Sequence, residues 1–361
     1  MKLLALTLAA LALPVIAAEK HYLYAASPGI RNYVQYGGIG IVVFDIDNGY
    51  RVVRRIPTFE TVPGKEPENV KGIAASAKTG KVYVSTINRI GAFDILSGKK
   101  LWEKPYEGGV DRISISPDGK ILYAPSLESA FWNALDASTG DILAKIETKS
   151  GSHNTIYAHD GSRVYLAGLR SPMLSIADPK THTVVKQVGP FANVIRSFTV
   201  NGSNTLCFVN INGLLGFEVG DVQTGKKLYH VEIEGAKPGP VKRHGCPSHG
   251  IALTADEKEL WVADGANNRI YIFDATVMPP KQMTSVEVRD LPGWISFSLD
   301  GRRAYSSTGE VIDTRTKKIV ATLKDEAGHE FQSEKMLEIF IDGNKVTRAA
   351  DQFGVGEISH R

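Results

Sequence analysis

Four histidines stand next to glycine or serine in distant parts of the chain, and their side chains could do chemistry if folding brought them together. They are His153, His244, His249 and His329. Converging imidazoles can bind copper or zinc, and a single imidazole can act as a general base near neutral pH. Their spacing matches no recognised metal motif. Metal ligation, metal-free catalysis and ordinary ligand contacts therefore all remain open for these residues.

Seven residues, all but one of them polar or charged, occupy equivalent places in successive repeats. Each lies two positions before the matching apolar residue of a short strand-like run. The full set of equivalent places is Lys71, Asp111, His153, Arg196, His249, Gly293 and Lys335. Arg112 and Arg196 could hold an anionic group through a two-pronged contact. Trp294 could stack on a ligand through its ring. We therefore predict a ligand-binding set, provided that the fold brings these places together: Lys71, Asp111, Asn154, Trp294 and Lys335.

The elements that must position these side chains form a repeat. Seven times an apolar strand runs into an aspartate and then a tight polar turn, at Asp45, Asp94, Asp136, Asp178, Asp221, Asp274 and Asp313. Successive aspartates lie roughly 40 to 50 residues apart, which is the period of a four-stranded β-propeller blade. Polar or glycine residues follow each aspartate, so the carboxylate is expected to cap the turn by accepting backbone N–H bonds and not to bind a cation.

The two ends of the chain carry incomplete repeats. Residues 21–26 read as a second strand with no first strand before them, and residues 336–343 read as a first strand with only one more strand after them. Pairing the two ends would complete one shared blade and leave no large open sheet end. The sequence thus predicts an all-β, seven-bladed β-propeller, formed by residues 19–361 as one domain. Because the first strand of each blade lines the central channel, the places named above would converge at one channel mouth.

The first 18 residues predict export. Lys2 gives a positive start, residues 3–16 are apolar, and small residues end at Ala18. This pattern is typical of a secretory signal peptide cleaved near Ala18, with an uncleaved anchor as the alternative. We therefore expect a periplasmic or secreted protein. Removing the segment changes the net charge from +3 to +2, and such a small charge argues against a nucleic-acid partner. A small molecule or a protein remains as the expected partner.

The chain contains two cysteines, Cys207 in a strand-like run and Cys246 in the loop before the next repeat. An oxidising compartment would allow them to pair across neighbouring blades. Two unpaired thiols are the alternative, and spatial geometry decides between the two.

Several segments resemble a known family. Residues 81–86, residues 116–119 and the strand-Asp-x-x-Thr-Gly turns resemble the YVTN-repeat family of bacterial secreted propellers, which is related in pattern to the cytochrome d1-type propeller. Residues 250–271 are also similar to NHL-type and gluconolactonase-like blades. The resemblance covers nearly the whole chain after residue 18. It implies the propeller fold and no single activity.

The same resemblances imply cofactors. Gluconolactonase-like blades imply a calcium ion, for which Asp111, Asn154 and Glu334 could supply oxygen ligands. However, His249 stands where such blades commonly show asparagine. The d1-type pattern implies haem, but the sequence has no Cys-x-x-Cys-His motif for covalent attachment.

Two classes of function follow from these observations. The sequence contains no nucleophile elbow, phosphate loop or His-Glu-x-x-His run, which favours a ligand-binding or protein-interaction module acting through the polar channel mouth. The alternative is an enzyme at the same mouth, such as a metal-assisted lyase, lactonase or oxidoreductase. In that alternative His153 and His249 bind copper or zinc or transfer protons, and Arg112 or Arg196 holds an anion.

Overall fold

The computed structural model describes residues 19–240 and 246–357. Within these residues, 29 strands form seven antiparallel sheets arranged as a ring, and one short 3-10 helix spans Val34–Tyr36. The predicted seven-bladed β-propeller is therefore confirmed. In the same part of the chain, no helix has the length and apolar character needed to cross a membrane.

The strands are numbered in chain order, and each blade is described from the channel outwards. Blade 1 contains β28 (Met336–Asp342), β1 (Lys20–Ser27), β2 (Gly40–Asp45) and β3 (Arg51–Ile56), with β29 (Lys345–Ala349) as a fifth strand. Blade 2 contains β4 (Val70–Ser76), β5 (Lys81–Thr86), β6 (Arg89–Asp94) and β7 (Lys100–Pro105). Blade 3 contains β8 (Ser114–Ile115), β9 (Ile121–Pro125), β10 (Phe131–Asp136) and β11 (Ile142–Glu147). Blade 4 contains β12 (Ser152–Tyr157), β13 (Val164–Gly168), β14 (Leu174–Asp178) and β15 (Thr183–Val188).

Blades 5 to 7 repeat the same order. Blade 5 contains β16 (Ile195–Val200), β17 (Leu206–Ile211), β18 (Gly216–Asp221) and β19 (Lys227–Glu232). Blade 6 contains β20 (Ser248–Leu253), β21 (Glu259–Asp264), β22 (Arg269–Asp274) and β23 (Lys281–Glu287). Blade 7 contains β24 (Ile295–Phe297), β25 (Arg303–Ser306), β26 (Glu310–Asp313) and β27 (Ile319–Thr322).

The apolar core lies between neighbouring blades. Middle strands such as β13 are buried along their whole length because blades cover both of their faces, whereas the outermost strand β15 is exposed over most of its length. Polar tips of buried aromatic rings join one blade to the next. The indole N–H of Trp132 donates to Thr155 Oγ1 at 2.8 Å, and the Tyr83 hydroxyl donates to the Ala137 carbonyl at 3.0 Å. These contacts fix the orientation of the blades and hence of the channel mouth.

The repeated aspartates cap turns, as predicted. Each accepts a backbone N–H bond from a residue two or three positions later; for example, the Ser138 N–H lies 2.7 Å from Asp136 Oδ1, and the Thr276 N–H lies 2.9 Å from Asp274 Oδ1. The corresponding bonds are present at Asp45, Asp94, Asp178, Asp221 and Asp313. The carboxylates are therefore spread around the outer part of one end of the ring and do not converge.

The ring closes as the sequence predicts, with one added strand. β1 pairs with β2 on one edge and with β28 on the other, with Tyr24 opposite Leu337. β29 then pairs with the free edge of β28, so the closing blade has five strands instead of four. Because β28 is the innermost strand of the four-stranded pattern, β29 directs the chain that follows into the central channel.

Residues 350–357, here called the C-terminal segment, fill one end of the channel. The Gln352 side chain accepts the Ile73 N–H at 3.3 Å and donates to the Ile113 carbonyl at 3.0 Å. Phe353 and Val355 are buried against the blades. Further backbone bonds join the segment to blades 5 and 6, at Val200 and Leu253, both the last residues of their strands. The segment therefore closes the end of the channel at which the inner strands finish.

The two cysteines are buried free thiols, and no bond joins them. Cys207 lies on β17. Cys246 lies just before β20, and its thiol donates to the carbonyl of Ser248, the first residue of that strand. Burial raises the pKa of each thiol to about 12. Both side chains are therefore protonated at neutral pH and act as apolar packing groups.

Glu338 on β28 gives the closing blade a pH-dependent stability. It is buried and accepts the Leu299 N–H at 2.8 Å together with the Tyr305 hydroxyl. Burial raises its pKa to about 7, from 4.5. The folded state therefore retains this proton at pH values where the unfolded state has lost it. The proton on Glu338 makes the protein more stable below about pH 4.5 than above about pH 7.

We expect Glu338→Gln to remove this contribution. The free energy of unfolding of the native protein should fall between about pH 4.5 and about pH 7 by up to a few kcal/mol, because each pKa unit corresponds to about 1.4 kcal/mol. Urea unfolding across this range should show a flatter profile for the variant. Burial also raises the pKa of Asp351, to about 6. Because the variant keeps Asp351, the difference between the profiles of the native protein and the variant reports on Glu338. Parallel profiles would contradict the prediction.

Candidate functional site

The fold brings most of the predicted site residues to one cavity. The cavity has a volume of about 130 Å³ and lies at the channel end where the inner strands begin. Blades 1 to 6 each contribute side chains to its wall, and the predicted residues among them are Lys71, Asp111, Arg112, His153, Arg196, His249, Glu334 and Lys335. Arg31 and Glu128 are exposed and lie at its rim. We call this cavity the cup.

Four predicted residues are placed differently. Asn154 is buried behind the wall, where its Nδ2 donates to the Arg196 carbonyl. Trp294 is buried below the cup, and His329 is an exposed residue paired with Asp325 at 3.4 Å. None of these three lines the cup. His244 lies outside the described residues.

Asp111 forms the first charged cluster in the wall. Its Oδ2 accepts the Nδ1–H of His153 at 2.6 Å, and its Oδ1 lies 3.5 Å from the Lys71 ammonium. Burial opposes ionisation of the carboxyl, but the positive charges of His153, Lys71 and Arg112 outweigh it and hold the pKa of Asp111 below its usual value. The carboxylate therefore stays ionised. It also fixes the orientation of the His153 ring, with Nδ1 as the donor to the carboxylate.

Glu334 forms the second charged cluster and is shared by two buried cations. Its Oε2 lies 2.6 Å from the Arg112 guanidinium and 2.9 Å from the Lys335 ammonium. All three side chains are less than a tenth exposed. Lys335 also donates to the Gly29 carbonyl at 2.8 Å. One negative charge thus faces two positive charges in a place that water barely reaches, which leaves this part of the wall cationic.

Burial lowers the pKa of Lys335 to about 7, because the ammonium loses its hydration. Arg112 and Lys71 add to this effect by repulsion, while Glu334 opposes it. At neutral pH about half of the Lys335 side chains carry a neutral amine. The positive charge of the cup therefore changes near pH 7.

Trp294 supports the floor of the cup from below. The Arg112 guanidinium lies 3.5 Å from the centre of the Trp294 ring, and its stacking covers that face of the indole. The Trp294 N–H donates to the Gln352 carbonyl of the C-terminal segment at 2.6 Å. Trp294 therefore holds Arg112 in place for the cup instead of offering a stacking face to a ligand. The C-terminal segment supports the site through this contact.

Arg196 and His249 face the cup from blades 5 and 6. Arg196 Nε donates to Asn212 Oδ1 at 2.5 Å, and its two Nη groups form no hydrogen bond to a described residue. His249 Nδ1 donates to the Gly293 carbonyl of blade 7 at 2.8 Å. Among the described residues, the guanidinium is therefore held at one nitrogen, and its Nη donors face the cup.

The described residues do not assemble a metal site. Within residues 19–240 and 246–357, no group of three or more histidine, cysteine, aspartate or glutamate side chains is arranged to hold an ion. His153 and His249 use Nδ1 for Asp111 and Gly293, and the carboxylates of Asp111 and Glu334 already face cations. The other side chains that line the cup include the cations Lys71, Arg112, Arg196 and Lys335. The described residues therefore do not by themselves supply a ligand set for copper, zinc or calcium, and His244 lies outside them.

Sequence reasoning missed the rim and the floor. Arg31 and Glu128 lie in the turns after β1 and β9, and both have a φ of 51°, in the left-handed region. The turn after the second strand of a blade ends at the same side as the start of the first strand, and that topology would have pointed to these turns. The position of the C-terminal segment gave no comparable signal, because most of its hydrogen bonds to the channel use backbone groups.

Comparisons with known proteins agree with the fold and do not assign a family. No family model matches the chain, and no curated protein matches it significantly. Among solved structures, it is similar to the β-propeller domain of Cps50 (Swd1) from Myceliophteria thermophila, with a TM-score of 0.59 and 12% sequence identity. The match covers 81% of this chain and 95% of that domain. At this identity the similarity shows the propeller architecture alone.

Proposed function

We propose that this propeller is a binding module whose cup recognises a small oxyanion, such as a carboxylate or a phosphate-like group. The observation that carries the proposal is the charge of the cup. Three acidic side chains in its wall, Asp111, Glu128 and Glu334, are outnumbered by four cationic ones, Arg31, Lys71, Arg112 and Arg196. Lys335 adds a fifth positive charge below its pKa of about 7. An anion in the cup would restore the charge balance in a partly buried site, where electrostatic interactions are stronger than in water.

The dimensions of the cup favour a small ligand. Its volume of about 130 Å³ is below the range of about 300–1,000 Å³ that is typical of pockets for drug-sized molecules. The C-terminal segment closes the far end of the channel, so a ligand enters and leaves at the rim. Arg196 supplies two-pronged recognition of an oxyanion from one wall. Lys335, which precedes β28 in blade 1, supplies a positive charge from another part of the wall.

Propellers commonly serve as protein-interaction modules, and the fold does not select one function. The cup is the feature of this chain that favours a small ligand. The metal-assisted enzyme receives no support from the donor set described above.

We further propose, from residues 1–18, that the protein is exported and cleaved near Ala18 as a YVTN-type periplasmic or secreted propeller. Amino-terminal sequencing of the protein expressed in a bacterial host tests this, and an intact Met1 would overturn it.

Calorimetric titration with sulfate and acetate tests the anion site. Sulfate keeps the same charge between about pH 6 and about pH 8, so any change in its affinity reports on the protein. We expect binding to be tighter at about pH 6, because Lys335 loses its positive charge as the pH rises past its pKa of about 7. Arg196→Ala should weaken binding about tenfold or more, since hydrogen bonds to charged groups contribute about 1.5–3 kcal/mol.

Arg302→Ala is the matched control for Arg196→Ala. The Arg302 side chain is 80% exposed and lies outside the cup, so its loss should leave the affinity unchanged. Preference for sulfate or for acetate distinguishes a phosphate-like from a carboxylate ligand. The proposal would be overturned by equal affinity in the two variants, or by the absence of binding of either anion to the native protein.

A further inference from the structure

We infer that Lys335 forms a reversible imine with a small carbonyl compound that also carries a carboxylate, such as a 2-oxo acid. This inference rests on the proposed anion site, because the carboxylate is expected to bind the cationic wall while the carbonyl carbon faces the amine. It adds covalent capture to simple binding, and it narrows the ligand class from oxyanions to oxo acids.

The position of Lys335 supplies the first argument. The residue precedes β28, lines the cup and is 4% exposed. Its Nζ donates to two fixed oxygens, the Gly29 carbonyl at 2.8 Å and Glu334 Oε2 at 2.9 Å. These two contacts orient the amine and leave its third substituent position for a partner in the cup. An amine held in this way loses little conformational freedom on reacting.

The charge arrangement supplies the second argument. Glu334 already pairs with Arg112 at 2.6 Å, so a proton on Lys335 adds a second positive charge to one carboxylate. A buried amine next to another cation is easily deprotonated, and the neutral form is the nucleophile. This agrees with the pKa of Lys335 of about 7. Lys71, the other lysine of the cup, pairs with Asp111 and is less buried, so it serves as an internal comparison.

The chemical step balances without an additional reactant. The lone pair of the neutral Nζ attacks the carbonyl carbon, the C–N bond forms, and the carbonyl electron pair moves to oxygen, which takes up a proton. Glu334, whose Oε2 accepts a hydrogen bond from Nζ, can take the proton that leaves nitrogen, while the oxygen takes its proton from solvent. Glu334 then gives its proton to the hydroxyl of the carbinolamine, which leaves as one water molecule, and a protonated imine remains. Addition of water reverses the sequence, so the ligand is captured and released unchanged.

The size of the cup supports a short oxo acid. A cavity of about 130 Å³ holds a molecule of a few carbon atoms with its carboxylate toward Arg196. Carboxylate recognition by a guanidinium is two-pronged and planar. A molecule with a carbonyl group and no acid would lack this contact.

Reductive trapping on the full-length protein tests the inference. The protein is incubated with glyoxylate and sodium cyanoborohydride, which converts an imine into a stable carboxymethyl-lysine, and the modified lysine is located by peptide mass spectrometry. At about pH 7 we expect Lys335 to be labelled at least about tenfold faster than the exposed Lys120, because burial lowers the pKa of Lys335 to about 7 and the cup holds the carboxylate of glyoxylate beside it. Acetaldehyde, the same reaction without the carboxylate, should label Lys335 at least about tenfold less than glyoxylate.

Two variants separate this inference from the anion site. Lys335→Arg keeps the positive charge and cannot form an imine, so it should retain sulfate binding and lose the label. Lys120→Met removes an exposed lysine outside the cup and should retain the label at Lys335. The inference is overturned if glyoxylate leaves Lys335 unmodified, or if acetaldehyde labels it equally well. Sulfate binding by the native protein in that same preparation would show that the anion site itself survives the failure.

Discussion

Glu334→Gln is expected to lower the free energy of unfolding at pH 7 by about 3–5 kcal/mol, because it leaves the buried charge of Arg112 without its carboxylate. Lys335 loses the same partner and can respond by releasing its proton, whereas the guanidinium of Arg112 cannot. The cost therefore comes mainly from Arg112, which is 2% exposed and lies against the Trp294 ring. Urea unfolding of the variant and the native protein measures the difference.

A matched substitution at the surface provides the control. Glu326 pairs with Arg55 at 2.6 Å, and its side chain is 44% exposed, so Glu326→Gln should cost less than about 1 kcal/mol. Removing both charges with Glu334→Gln and Arg112→Met should recover part of the loss, because no uncompensated guanidinium remains. Equal effects at Glu334 and Glu326 would show that the buried cluster does not hold the cup together.

Phe353→Ala is expected to cost about 3–5 kcal/mol, which is typical of removing a buried aromatic ring from a core. Phe353 belongs to the C-terminal segment, is 7% exposed, and packs with its ring centre 5.7 Å from that of Trp294. Its loss should also weaken sulfate binding, because Trp294 supports Arg112 at the floor of the cup. Urea unfolding gives the first effect, and calorimetric titration gives the second.

Leu143→Ala on the outer strand β11 serves as the comparison. Leu143 is 53% exposed, so its truncation should change the stability by no more than about 0.5 kcal/mol. A Phe353→Ala protein as stable as Leu143→Ala would mean that the C-terminal segment does not close the channel. The C-terminal segment would then not support the floor of the cup.

The sequence predicts the ring because its signals are local. An aspartate after each apolar strand caps a turn in every blade, as at Asp136 and Asp274, and this repeat sets the number of blades. The incomplete units at the two ends predict the pairing of β1 with β28. The fifth strand β29 could not be predicted in the same way, because a strand pattern does not specify which edge it pairs with.

The sequence points to many of the residues that line the cup, but it does not show which contacts each of them makes. Equivalent positions in successive blades converge on the channel, and Lys71, His153 and Lys335 line one cavity there. Sequence position does not show which partner each charge finds, so the sharing of Glu334 between two cations required the structure. Trp294 illustrates the same point, because its ring was predicted to stack on a ligand and instead stacks on the Arg112 guanidinium.

The anion site is tested by the location of a bound anion in crystals of the protein grown with selenate, whose selenium atom scatters anomalously. We expect an anomalous peak inside the cup, within hydrogen-bond distance of Arg196 and close to Lys335. Selenate bound only at the outer surface, with the cup of the same crystal holding water alone, would contradict it.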